Sequence, residues 1–320
     1  MGRLFGTDGV RGIANADLSC ELALNLGRAA AYVLTRHTDH RAKIIIGMDT
    51  RVSGDMLVNA MAAGICSVGA DAVILGVMPT PSVALLVKKY GADAGVVISA
   101  SHNPVEFNGI KIFNGQGYKL ADEIENEIEG YILDHPGELE LKTHGDIGSV
   151  SHRVDAADDY VEHIVNSVRG DLKGLRVVFD CAHGASYETA KRIFQTLGVD
   201  GVFIGDSPDG RNINAGVGST HIENLKKSVA AFGADIGIAF DGDADRCLAV
   251  DELGNEIDGD VIIAIFAKYL LAQDKLAHDA CVVTVMTNLG FMDYCKKNGI
   301  KAVRTAVGDR YVLEEMLRTG

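Results

Sequence analysis

Three carboxylates stand at alternate positions of one short loop, Asp241-Gly242-Asp243-Ala244-Asp245-Arg246, directly after an apolar run. Like charges this close repel unless a cation neutralises them, and an all-oxygen donor set favours Mg²⁺ or Ca²⁺. A second loop, Ser99-Ala100-Ser101-His102-Asn103-Pro104, leaves another apolar run, Ala94 to Ile98. That run reads as a buried parallel strand, and ligands of open α/β sheets collect at carboxyl ends of strands. Pro104 pushes Asn103 out of the helical region, so the chain turns there instead of winding into a helix. The Ser101 hydroxyl is the candidate nucleophile. Three Asp ligands leave positions on an octahedral Mg²⁺ that water or a phosphate oxygen fills. A phosphorylated Ser101 would supply that oxygen, joining Asp241, Asp243 and Asp245 around the metal as a stored, activated phosphoryl group.

Arg246 beside the triad would neutralise charge on a transferring group. Gly6 to Gly12 offers backbone N–H groups and Arg11, suited to cradling a phosphate. Lys111 would assist proton transfer or bind phosphate, and His102 would orient a sugar hydroxyl or the phosphoserine. Each has a plainer alternative. Ser99 to Pro104 also fits an Asx or Ser turn, the Asp loop a solvated turn, Lys111 a solvated strand lysine, and His102 a turn histidine bonded to backbone. A calcium EF-hand would use Asp241, Asp243, Asp245 and Glu252, but Arg246 holds its obligatory Gly position. A haloacid-dehalogenase-type Asp-x-Asp loop would make Asp241 itself the attacking group. No Walker A sequence is present, which disfavours ATP hydrolysis by that route.

The elements that must position these loops alternate. The spacing predicts helices at Ser53 to Val68 and Pro81 to Tyr90, between strands at Lys43 to Gly47, Asp71 to Leu75 and Ala94 to Ile98. An earlier helix is capped by Ser19. Gly109 to Phe113 suggests an added strand and Ala121 to Leu133 a helix, and a polar stretch from His135 to Ser151 reads as a linker. Helix Asp155 to Val168 opens a second unit. There strands Leu175 to Asp180, Gly201 to Ile204 and Asp235 to Phe240 alternate with helices Ser186 to Leu197 and His221 to Phe232. Gly91-Ala92-Asp93-Ala94-Gly95-Val96-Val97-Ile98 resembles Gly233-Ala234-Asp235-Ile236-Gly237-Ile238-Ala239-Phe240 closely enough to suggest duplication. Ser101 and Asp241 then follow equivalent strands. A third unit starts with helix Val261 to Leu271 and continues through strand Ala280 to Met286, helix Leu289 to Lys297, strand Lys301 to Val303 and helix Arg310 to Leu317.

The composition is that of α/β packing, with 37 glycines and 6% aromatics in 320 residues, and length alone predicts two or three domains. A net charge of −14 argues against nucleic-acid or anionic-membrane partners, which require basic surface. Six scattered cysteines without a CxxC pair read as reduced core thiols. The N-terminus shows no signal-peptide apolar region, and Val261 to Leu271 is too short to span a bilayer, so a soluble, cytoplasmic protein is expected.

On Ser99 to Pro104, Asp241 to Arg246 and Gly6 to Gly12, the chain resembles the α-D-phosphohexomutase superfamily from Met1 to Gly320. Asn212-Ile213-Asn214, Gly218 to His221, Asp241 to Asp260, Thr284 to Phe291 and Val307 to Val312 are most similar to its bacterial amino-sugar branch. The resemblance implies tandem βαβαβ-type α/β domains with mixed sheets: domain I at residues 1–150 with the phosphoserine loop, domain II at 151–255 with the metal loop, and part of domain III at 256–320. It implies a phosphorylated Ser101, Mg²⁺ on Asp241, Asp243 and Asp245, Arg11 and Arg246 as phosphate partners, and His102 and Lys111 as acid/base or orienting groups. The implied reaction interconverts glucosamine 6-phosphate and glucosamine 1-phosphate, on the route to UDP-N-acetylglucosamine, through a sugar bisphosphate that is both intermediate and primer. Glucose or mannose phosphates, or binding without catalysis, are the alternatives. A homodimer through the first domain is also implied. The family's sugar-recognition loop and fourth, distal phosphate-gripping domain have no counterpart before Gly320. The expectation is therefore that these residues bind Mg²⁺ and carry phosphate on Ser101 yet turn substrate over poorly or not at all. His183 and Val217 stand where many members have Asn and Cys.

Overall fold

The computed structural model describes residues 2–320, which divide into two compact units, 2–254 and 255–320. In the first, β1 (Val10–Ile13) leads to α1 (Cys20–Thr35), whose first turn is capped by Ser19 Oγ accepting from Leu22 N. There follow β2 (Lys43–Met48), α2 (Gly54–Ser67), β3 (Asp71–Val77), α3 (Thr80–Tyr90), β4 (Ala94–Ile98), β5 (Phe107–Asn114), α4 (Asp122–Leu133) and β6 (Val150–His152). These strands form one sheet in the order β1-β5-β4-β2-β3-β6. Neighbours from β4 to β6 run parallel, whereas β5 is antiparallel to both β4 and β1.

The unbroken apolar runs of β2 and β4 arise because both faces of the sheet are covered. Ile44, Ile46, Val96 and Ile98 pack with Leu26, Met61 and Ile128 of α1, α2 and α4. Ile45 and Val97, pointing the other way, pack with Val83, Leu86 and Val87 of α3. Burying one such side chain contributes about 1.5–3 kcal/mol.

The plan recurs in α5 (Ala156–Ser167), β7 (Arg176–Asp180), α6 (Thr189–Thr196), β8 (Asp200–Ile204), α7 (Glu223–Phe232), β9 (Ile236–Phe240) and β10 (Cys247–Asp251). Strand order β10-β9-β7-β8 repeats β5-β4-β2-β3, with the same antiparallel hairpin at one end. Leu225 and Val229 of α7 cover one face, and a Phe194–Phe179–Phe203 stack with centroids 4.0 and 5.0 Å apart covers the other.

In the second unit, the short strand β11 (Glu256–Ile257) precedes α8 (Gly259–Leu271), β12 (Ala280–Thr284), α9 (Leu289–Lys297), β13 (Lys301–Thr305) and α10 (Asp309–Thr319). Strands β12 and β13 pair in parallel, and Ala267, Val283, Phe291, Cys295 and Ile300 make its core.

Three readings are corrected. Val10–Ile13, expected within an open glycine loop, is a strand because its register with Phe107–Ile110 satisfies its backbone. Val150–His152, expected in a linker, closes the far edge of the first sheet on β3. Cys247 is exposed, unlike buried Cys66, Cys181 and Cys295, although all six thiols are free. No described helix is long and apolar enough to cross a membrane.

Candidate active site

Strands β4 and β9 hold the same position in two sheets of one plan, and their carboxyl ends face each other. Ser101 Oγ donates to Asp241 Oδ2 at 2.6 Å, both side chains buried. Ser101 has φ +53°, a left-handed conformation that costs a non-glycine residue free energy. It is pinned at both backbone groups: its N–H donates to Ser99 Oγ at 2.9 Å, and its carbonyl accepts from Arg51 Nη2 at 3.1 Å and Asn214 Nδ2 at 2.9 Å. The approach is so close that a Cβ on Gly242 would stand 2.5 Å from the Ser101 carbonyl oxygen. Only glycine lets these two loops touch.

Ligand-capable oxygens of Asp241, Asp243 and Asp245 lie within 4.8 Å of one another. Lys111 Nζ reaches Asp243 Oδ2 at 2.6 Å and Asp245 Oδ2 at 2.9 Å, and Thr80 Oγ1 at the start of α3 donates to Asp243 Oδ2 at 2.6 Å. The other Asp243 oxygen, Oδ1, is buried with no partner. A buried carboxylate oxygen left unsatisfied is costly, and a divalent cation supplies what it lacks. The triad therefore fits a cation.

The electrostatics agree with the geometry. Burial, reinforced by the charges of Asp243 and Asp245, pushes the Asp241 carboxyl up to about 7. Burial acts the same way on Asp243, but the Lys111 charge and hydrogen bond outweigh it and hold that carboxyl below its usual value. Burial disfavours charge on Lys111 in turn, yet the two carboxylates prevail and keep it cationic.

Arg246 donates its backbone N–H to Asp241 Oδ1 at 3.2 Å, and its guanidinium meets His102 Nδ1 at 2.9 Å. Burial, then the positive charges of Arg246 and Arg11, lower the His102 pKa. A neutral ring whose Nδ1 accepts from Arg246 carries its proton on Nε2. On the other flank, β1 lays Arg11 against Gly109, whose carbonyl accepts from Ser99 N at 2.9 Å, so Arg11 is carried beside the Ser101 loop. Its Nη2 donates to Asp8 at 3.0 Å while buried Nε donates to nothing. Burial would raise Asp8, but the Lys119 ammonium at 2.8 Å, with Lys111 and Arg11, brings it down to about 2.

The structure thus brings the eight residues singled out in the sequence together around the facing ends of β4 and β9. Sequence reasoning missed Thr80, Asp49 and Arg51. The last two follow β2, whose carboxyl end points to the same side as that of β4. That position was the available signal.

The fold is that of the phosphohexomutases. Family models described as "Phosphoglucomutase/phosphomannomutase, alpha/beta/alpha domain" I, II and III match residues 2–136, 158–254 and 258–320, and the chain belongs to this family. Within it, the chain is 58% identical over 320 residues to the phosphoglucosamine mutase of Acetivibrio thermocellus, covering 100% of this chain and 71% of that protein. It is 56% identical over 318 residues to the phosphoglucosamine mutase of Clostridium beijerinckii, covering 99% and 71%. The crystal structure of a phosphoglucomutase/phosphomannomutase family protein from Burkholderia thailandensis superposes with a TM-score of 0.85 at 25% identity, over 100% of this chain and 70% of that one.

Proposed function

We propose that this chain performs phosphoglucosamine mutase chemistry, with Ser101 as the phosphate carrier. The observation that carries the reading is the 2.6 Å contact between Ser101 Oγ and Asp241 Oδ2, which joins a hydroxyl nucleophile to a carboxylate triad from the other half of a duplicated unit. Asp241, Asp243 and Asp245 would hold Mg²⁺, which when bound neutralises charge on phosphoryl oxygens.

In the forward half-reaction the Ser101 Oγ–P bond breaks, a bond forms from phosphorus to O1 of glucosamine 6-phosphate, and the O1 proton leaves. His102 accepts that proton at Nδ1 once Arg246 has turned from it to a phosphate oxygen, and cationic Lys111 supplies one to the departing serine oxygen. The 1,6-bisphosphate then turns over. Its O6–P bond breaks as Ser101 Oγ–P reforms, and the protons return. Arg11 and Arg246 hold phosphate oxygens during both transfers, Arg11 with an unspent Nε donor. A sugar bisphosphate primes the unmodified serine by the reverse of the first step. Six unpaired thiols suit a reducing compartment, the cytoplasm.

The test is ³¹P NMR of glucosamine 6-phosphate with Mg²⁺ and catalytic glucose 1,6-bisphosphate. Glucosamine 1-phosphate accumulates slowly with the parent and not with Ser101→Ala. Conversion that survives Ser101→Ala contradicts the assignment.

A further inference from the structure

Arg51 lies outside the residues that would touch metal or sugar, yet it is fully buried and every donor of its guanidinium is spent on one task. Nε donates to Asp49 Oδ2 at 2.9 Å. Nη2 donates to the carbonyls of Ser101 at 3.1 Å and Asn103 at 2.8 Å. Nη1 donates to the carbonyl of Phe107 at 3.0 Å and to that of Pro104. Guanidinium carries five N–H groups, so four of five hold consecutive turns of the Ser101 loop and the fifth fixes the fork itself. Asp49 is anchored from both sides: its Oδ2 also accepts from Ser99 Oγ at 2.6 Å, and that hydroxyl accepts from Ser101 N.

The same short segment ties the loop to the half of the molecule that carries the triad. Thr50 Oγ1 donates to the His183 carbonyl at 2.6 Å, and Val52 N donates to the Gly210 carbonyl at 2.8 Å. Asn214, beyond Gly210, returns two hydrogen bonds to the Ser101 and Asn103 carbonyls at 2.9 and 3.1 Å. Carbonyls that converge on a buried cation cannot relax outward without leaving that cation partnerless, which is expensive.

We propose that Arg51, braced by Asp49, is a positioning residue that holds Ser101 in its left-handed conformation and sets its distance to Asp241. The proposal rests on the mutase reading for its kinetic consequence, but its structural half stands without phosphoryl transfer. Lysine keeps the charge with only three donors and no planar fork, so Arg51→Lys preserves a buried cation while giving up at least two of the five contacts. A misplaced nucleophile lowers the rate of a bound complex more than its formation.

The experiment follows Ser101 phosphorylation by glucose 1,6-bisphosphate and Mg²⁺ in parent and Arg51→Lys, with amide hydrogen exchange of both proteins in parallel. The maximal rate constant is expected to fall roughly 100-fold, with half-saturating bisphosphate and Mg²⁺ changed by less than about twofold. Exchange protection is expected to drop over residues 99–107 and not in β2 or β7. An unchanged rate constant, or raised half-saturation at an unchanged rate constant, overturns the proposal. Should the parent take up no phosphate, the mutase reading fails and the exchange data alone decide on Arg51: unaltered protection at residues 99–107 rejects it, and selective loss upholds the positioning. Should Arg51→Lys not fold, Ser99→Ala removes one anchor with little volume change. It is expected to shift the same rate constant about tenfold with half-saturation preserved, and a parent-like rate constant overturns the proposal there too.

Discussion

Lys111 Nζ lies between Asp243 and Asp245, where an ammonium and a divalent cation draw on the same carboxylates. Lys111→Met leaves a buried carboxylate without its partner, which costs about 3–5 kcal/mol when a buried pair is broken from one side. Mg²⁺ should restore much of that loss. The rise in Tm on adding Mg²⁺ is therefore larger for Lys111→Met than for the parent, and equal rises would show that ammonium and metal do not compete. Ser101 and the triad were legible in the sequence because turn chemistry and clustered like charges announce themselves locally. Lys111 was singled out, but its burial was not legible, since its carboxylate partners lie 132 and 134 residues away in the chain. Arg51 gave no sign beyond its place after β2, as four of its five donors go to backbone carbonyls about fifty residues away in the chain. His183 adopts φ +48°, so the expected Asn would also suit the site, and His is among the residues that enter this region more readily than most.

At the scale of elements, the repeated Gly-Ala-Asp-x-Gly does the same work twice. Gly91 and Gly233 end α3 and α7 in left-handed conformations, φ +56° and +57°. Asp93 then takes the Lys43 N–H at 2.8 Å, and Asp235 takes the Arg176 N–H at 2.9 Å, which locks β4 and β9 in register with their parallel neighbours. The final glycine admits the preceding helix: a Cβ on Gly95 would stand 2.5 Å from Val87 Cγ2, and one on Gly237 2.6 Å from Val229 Cγ2. Similarity of eight residues therefore encoded a helix stop, a register clamp and a packing notch, which is why the duplicated architecture could be read. Strands β1 and β6 could not, because short edge strands gain their structure from a partner distant in sequence. Two substitutions separate the roles. Gly91→Ala meets nothing within 4 Å and costs only left-handed strain, about 1–2 kcal/mol, whereas Gly95→Ala overpacks α3 for about 1–3 kcal/mol. In urea unfolding, Val87→Ala should relieve the second and leave the first unchanged. Additivity in both pairs would contradict this account.

At the scale of the whole molecule, the N-terminal segment that brings Arg11 to the cleft is tied down by a single buried carboxylate. Glu129 of α4 accepts from the backbone N–H groups of Arg3, Leu4 and Phe5 at 2.7–2.8 Å. Burial pushes its pKa up, but these three donors and the Arg3 charge outweigh burial and hold it below the usual 4.5. A depressed folded-state pKa contributes stability that is present above the unfolded value and lost as pH falls through the folded one. Thermal melts should thus show the parent losing stability below about pH 4.5 more steeply than Glu129→Gln, which is less stable by about 1–3 kcal/mol at neutral pH. Parallel curves would contradict the role given to Glu129.

The central claim is that two equivalent strand ends bring a phosphate-carrying serine to a cation-binding triad. It is tested most directly by incubating the chain with glucose 1,6-bisphosphate and Mg²⁺, then measuring intact mass and mapping phosphopeptides. The account predicts one added phosphate, on Ser101, absent from Ser101→Ala and from reactions without divalent cation. Phosphate on Asp241, or uptake that persists in Ser101→Ala, would contradict it.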